Sequence, residues 1–176
     1  YKQSSLWKTA FPESCTEHAA QRKRLTEAYE RFRERVSQLL GQIKAELPDL
    51  TLHDISHVDA LWQVASEIAG PDYPLNPAEA LVLGGAFLLH DAAHCRAAYP
   101  GGLAQLQATA EWQDSAAQRK LDLATLTEGS NDFQSVLFDT LRTLHPRQAR
   151  ELPFAEWKDS DGTTLLLFPD DELRDA

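Results

Sequence analysis

The sequence predicts an all-α protein, a helical bundle with room for one short strand or hairpin near the C-terminus. Three observations carry this reading. Apolar residues recur at three- and four-residue steps along most of the chain. Capping and helix-breaking residues stand where those stretches begin and end. Only residues 163–168 have the composition and pattern of a strand.

Residues 17–47 read as one long amphipathic helix. Leu25, Tyr29, Phe32, Val36, Leu39, Leu40 and Ile43 form a single apolar stripe, and Pro48 ends the helix. The other faces carry charges such as Arg22, Glu27, Arg31 and Glu34, most of them expected in solvent. A second helix covers 55–69, with Val58, Leu61, Trp62, Ala65 and Ile68 as its apolar residues, and Gly70 and Pro71 stop it. Residues 72–76 form a loop. Asn76 is placed to cap a third helix whose first position is Pro77. That helix, 77–94, is apolar on nearly every side between 81 and 89, so it is predicted to be central and buried. Pro100, Gly101 and Gly102 break the chain. Residues 103–124 read as helical but weakly amphipathic, and 128–131 as a turn. The last helix, 132–152, buries Phe133, Val136, Leu137, Leu141 and Leu144, and Pro146 kinks or splits it. Residues 153–176 form a tail.

At 176 residues the chain suffices for one domain with a real core. Its 43% apolar and 25% charged residues are ordinary for a globular protein. A formal net charge of -10 argues against double-stranded nucleic acid as a partner, which requires a basic stripe. It does not argue against a phosphorylated small molecule or nucleotide, because a bound metal dominates its local field. No apolar run approaches the roughly 18–20 residues that span a membrane, so no membrane partner is expected. No signal peptide is visible, and Cys15 and Cys95 lack metal-ligand spacing. A reduced, cytoplasmic setting is the simplest reading, with a lone disulfide as the other. The chain has no methionine and ends without a tapering composition. It is therefore expected to be part of a longer protein, truncated at the C-terminus.

Histidine is the informative residue. Four of the six form two pairs at i,i+4 spacing, His53 with His57 and His90 with His94, and Asp91 stands beside His90. Such a pair shares one helix face and chelates a metal, or is chance or capping. An imidazole and a carboxylate at the end of so apolar a helix carry a desolvation cost of several kcal/mol for an unpaired charge. Either a divalent metal, for which both groups are good ligands, or a buried salt bridge or hydrogen-bond network offsets it. His18, on the charged first helix, reads as surface. His145, before Pro146, reads either as a helix-end histidine or as an outlying ligand.

Leu89-His90-Asp91 after an apolar helix resembles the doublet that names the HD superfamily of metal-dependent phosphohydrolases. His57-Val58-Asp59-Ala60-Leu61 resembles that superfamily's first motif. His53-Asp54-Ile55-Ser56-His57 and His90-Asp91-Ala92-Ala93-His94 are similar to the H-N-x-x-H and H-D-x-D-H motifs of cyclic-nucleotide phosphodiesterases, members of the same superfamily. Leu144-His145-Pro146 is similar to the third histidine motif of HD-GYP-type proteins. The resemblance implies an HD-like helical bundle. It also implies one or two divalent ions (Mn, Fe, Zn, Ni or Mg) held by His57, His90 and Asp91, with Asp91 bridging and His145 on the second ion. In the same resemblance His53 is the general acid that protonates the leaving oxygen, and His94 steers the attacking hydroxide. The substrate it implies is a phosphoester, of a nucleotide or nucleic acid.

The match departs from the phosphodiesterase pattern at Asp54, where asparagine is usual, and at Ala93, where a second aspartate is usual. A cyclic-nucleotide phosphodiesterase is therefore not inferred. HD enzymes also close the first metal site with a distal aspartate. Asp132, Asp139, Asp170 and Asp171 are the candidates here, and a residue beyond Ala176 is the alternative. The chain is also similar to HD-type domains at the front of larger bacterial proteins, some with a GHKL-type ATPase domain in the same chain. Neither a Gly-rich phosphate loop nor an H-E-x-x-H motif is present. Gly84 and Gly85 lie within a helix and are expected to permit close packing. The rival function is a non-catalytic, degenerate HD domain that binds a nucleotide or a protein.

Overall fold

The computed structural model of the protein describes residues 1–12, 14, 16–47, 54–158, 163–168 and 170–174. The fold is all-α with one small hairpin, as the periodicity predicts. Helix α1 (Ser5–Ala10) precedes the spine of the bundle, α2 (Ala19–Glu46). On α2, Tyr29, Phe32, Val36, Leu39, Leu40 and Ile43 are all at most 3% exposed, so the stripe read from the sequence is the face that meets the rest of the protein. Pro48, expected to end this helix, lies outside the described residues.

Helix α3 (Ile55–Ala69) starts at an Asp54 cap, whose carboxylate accepts from the backbone N–H groups of Ser56 and His57 at 2.9 and 3.2 Å. Helix α4 (Pro77–Leu89) starts with a full capping box, Asn76 and Glu79 each accepting the other's backbone N–H. Helices α2, α3 and α4 meet around one point. Trp62 of α3 donates its indole N–H to the Tyr29 hydroxyl at 2.9 Å, and Gly84 of α4 lies against both rings. Helix α1, which the sequence reading did not assign, closes this junction. Its Trp7 stands edge-on to Trp62 at 5.3 Å, and Ser66 Oγ accepts the Leu6 N–H.

Three expectations need correction. Helix α4 is not buried all round. Ala80, Gly84 and Leu88 are buried, but Val82 is 73% exposed, because α2 and α3 pack on the same side of it. Ile68 on α3 is likewise exposed at 83%. Second, the single helix expected over 103–124 is two, α5 (Gly102–Gln107) and α6 (Ala110–Gln118). Thr109 accepts the Trp112 N–H and so starts a new helix. Third, Pro146 does not split α7 (Asn131–Glu151), which continues through it.

After α7, β1 (Glu156–Lys158) pairs antiparallel with β2 (Thr164–Leu166), Glu156 opposite Leu166 and Lys158 opposite Thr164. The hairpin is tied to α2, where Arg35 donates to the Leu166 carbonyl and Phe168 packs on Phe32 with centroids 5.0 Å apart. A last turn, α8 (Asp171–Arg174), is held by Asp170, which accepts from Arg24 at 2.9 Å. None of the described helices is long and apolar enough to cross a membrane.

Candidate metal centre

Three segments distant in sequence bring their polar side chains to one place. The Asp54 cap fixes the first turn of α3, and His57 projects from that turn. Helix α4 ends at Leu89, one residue before His90. The chain then turns tightly, with Ala92 N–H donating to Leu89 O and His94 N–H to Asp91 O, both at 3.1 Å. Ala92 and Ala93 are fully buried in that turn. Their burial anchors the backbone while Asp91 and His94 face the centre. His145 arrives from α7.

The result is two groups of three ligand atoms with one member in common. His57, His90 and Asp91 offer atoms within 4.8 Å of one another, and so do Asp91, His94 and His145. The Asp91 carboxylate lies between them. Its Oδ2 is 2.8 Å from His90 Nε2 and 3.9 Å from His57 Nε2, while its Oδ1 is 3.6 Å from His94 Nδ1. The His57 and His90 rings are 5.6 Å apart, and those of His94 and His145 are 3.9 Å apart at 30°.

Burial grades across the centre. Asp91 and His94 keep only 16% and 8% of their side-chain surface, whereas His90 and His57 keep 36% and 40%. The centre is thus closed behind Asp91 and open at the His57–His90 edge. The hydrogen bond from His90 to the Asp91 carboxylate raises the His90 pKa above the ordinary imidazole value, against the opposing effect of burial.

The imidazoles are oriented by backbone carbonyls. His90 Nδ1 donates to Phe87 O at 2.7 Å, and His145 Nδ1 donates to Arg142 O at 2.7 Å. A carbonyl only accepts, so each Nδ1 carries a proton and Nε2 is the atom each ring would offer a metal; without one, His90 Nε2–H donates to Asp91 Oδ2 at 2.8 Å. This is how metal-ligating histidines are commonly held. Three or four imidazoles and a carboxylate form a donor set suited to Zn, Fe, Mn or Ni rather than to Ca. The residues present therefore fit a divalent transition metal.

The resemblance implies steering for His94 and the second ion for His145. The geometry sets the two side by side, each within reach of Asp91. His53, the expected general acid, lies outside the described residues. None of the candidate distal aspartates joins either group. Asp139 accepts from Arg119 at 2.7 Å and Ser115 at 3.2 Å, Asp170 pairs with Arg24, Asp171 pairs with Arg174 at 2.8 Å, and Asp132 is exposed. Sequence reasoning also missed Asp54 as a cap, although an aspartate just before the first helical residue is the ordinary signal for one. Cys95 takes no part. It is fully buried, and burial pushes its thiol up to about 12. Cys15 lies outside the described residues.

A helical bundle that gathers an upstream histidine and a His-Asp doublet at one centre is an HD-type domain. Residues 47–176 match the family model of HD-CE, and the chain belongs to the HD-CE family. No curated protein and no solved structure matches it.

Proposed function

We propose that this chain is the metal-binding domain of an HD-type phosphohydrolase that cleaves a phosphoester of a nucleotide or nucleic acid. The observation that carries the proposal is the shared carboxylate, with one Asp91 oxygen directed toward each histidine pair. His57, His90 and Asp91 would hold one divalent cation, and Asp91, His94 and His145 a second. A cation there supplies water of lowered pKa and neutralises charge on phosphoryl oxygens.

The chain's own residues do the rest. Asp91 contributes a negative charge that offsets part of the cationic charge. The Phe87 and Arg142 carbonyls hold two imidazoles in the donor-ready tautomer. The exposed edge at His57 and His90 is the side from which a phosphoryl group enters. Behind it, buried His94 excludes water. In this reading His53 remains the proposed general acid that protonates the leaving oxygen.

A second reading is a non-catalytic HD module that binds a nucleotide or protein. It is favoured by one observation: among the described residues no carboxylate other than Asp91 joins either ligand group.

Metal content by mass spectrometry, on protein purified without chelator or histidine tag, tests the proposal together with a phosphoester substrate screen. About one or two equivalents of transition metal per chain, and metal-dependent hydrolysis lost in His57→Ala, support it. A protein that binds no Mn, Fe, Zn or Ni refutes it. A protein that binds metal but hydrolyses no nucleotide or nucleic acid supports the non-catalytic reading.

A further inference from the structure

Proline in the middle of a helix is unfavourable, because it has no N–H and its ring crowds the carbonyl four residues back. Pro146 nevertheless sits inside α7, with the helix continuing to Glu151. The carbonyl that a non-proline residue at 146 would use is that of Arg142. That carbonyl does not go unpaired. It accepts the Nδ1–H of His145 at 2.7 Å, and His145 is a member of the second ligand group.

We propose that Pro146 is a positioning residue of the metal centre. By withholding its N–H it reserves the Arg142 carbonyl for the His145 imidazole, and so sets the tautomer that turns the Nε2 lone pair toward Asp91 and His94. The inference rests on the metal-centre reading above.

The same centre contains an internal parallel. His90 Nδ1 donates to Phe87 O, also three residues back and also at 2.7 Å. There α4 ends at Leu89, and the Ala92 N–H turns back to Leu89 O rather than continuing the helix. At His90 the end of a helix releases the acceptor. At His145, within a continuous helix, Pro146 leaves the Arg142 carbonyl undivided, whereas the Asp91 carbonyl is shared between the His94 N–H at 3.1 Å and His94 Nδ1 at a longer 3.2 Å. One requirement, a carbonyl three residues before a ligand histidine, is met by two local devices.

The test is Pro146→Ala, which removes a helix-disfavouring residue and so does not threaten folding. In the metal-free protein, 15N NMR of the histidine rings is expected to show His145 as the Nδ1–H tautomer, and Pro146→Ala to move it toward Nε2–H. Calorimetric titration with Zn is expected to show affinity at the Asp91–His94–His145 side falling by about tenfold or more, the usual effect of losing a ligand's outer partner. The His57–His90–Asp91 side should change by less than about threefold. The unfolding temperature of the metal-free variant should rise. This opposition, a more stable fold with a weaker site, is not produced by a purely structural proline. An unchanged His145 tautomer, or a Zn affinity equal to the parent's at both sides, overturns the assignment. If the parent protein takes up no Zn, the metal-centre reading fails, and the NMR comparison alone still decides whether Pro146 sets the imidazole.

Discussion

Gly84→Ala is expected to weaken both the fold and the metal centre, while Gly85→Ala, one residue along, does neither. A Cβ at Gly84 would meet Tyr29 Cε2 at 2.5 Å and Trp62 Cζ2 at 2.6 Å. Neither ring can swing aside easily, because the two are joined by the Trp62–Tyr29 hydrogen bond and packed around Trp7. To restore van der Waals contact α4 must retreat by about an ångström, at a cost of about 1–3 kcal/mol for overpacking. Alanine's better helix propensity returns about 1 kcal/mol. The net loss of up to about 2 kcal/mol lowers the unfolding temperature by up to about 8 °C for a chain of this size. At Gly85 the nearest atom, Phe32 Cε1, is 3.6 Å away, an ordinary contact. Only the propensity gain of about 0.5–1 kcal/mol then operates, and the protein is stabilised. Because α4 carries His90 and Asp91 at its end while α3 carries His57, the retreat also separates ligands, and metal affinity falls in Gly84→Ala alone. Thermal unfolding of the metal-free variants and metal titration measure both effects. Equal stabilities for the two variants would show that α4 does not pack this closely, and the reasoning would fail.

Three further predictions concern the centre and its supports. Asp91→Asn should abolish binding of both metals while His145→Ala removes only one, read as metal equivalents by mass spectrometry; equal losses would contradict a shared carboxylate. In the metal-free protein the raised His90 pKa means that its bond to Asp91 contributes stability fully below about pH 6.5, a contribution lost as pH rises through the higher folded value. The metal-loaded protein should show the opposite slope, since ligand imidazoles must be neutral; unfolding midpoints across this range check both signs, and a metal-free slope unchanged in His90→Ala would count against the assignment. Arg33 donates two hydrogen bonds to Asp59, at 2.9 and 2.6 Å, with the side chains 27% and 23% exposed. Arg33→Ala should therefore cost about 1–2 kcal/mol in denaturant unfolding, reduced from the fully buried value by solvent screening, and a loss below measurement error would show the pair to be dispensable.

Much of this protein is legible in the sequence because its helices obey local rules. The stripe from Tyr29 to Ile43, the Asn76–Pro77 start and the Gly70 stop involve neighbours within one or two turns, and the structure follows them. The doublet His90-Asp91 and the upstream His57 are legible for the same reason, as short motifs on recognisable helix ends. What the pattern could not supply is which faces meet. Residues 81–89 are apolar all round, yet burial of Val82 depends on whether any element lies over it, and α2 and α3 both lie elsewhere. Thr109 was passed over as a cap because the residues on either side of it both favour helix.

By itself, then, the sequence determined the four long helices, the starts of α3 and α4, and a set of histidines with one aspartate. Periodicity, capping and short motifs act over a few residues, and the chain carries them wherever it goes. Only the tertiary structure decided that His94 stacks on His145, that Asp91 stands between two histidine pairs, and that Asp139 is engaged by Arg119. These contacts join segments far apart in the chain, and they exist only once the packing of α3, α4 and α7 has brought those segments together.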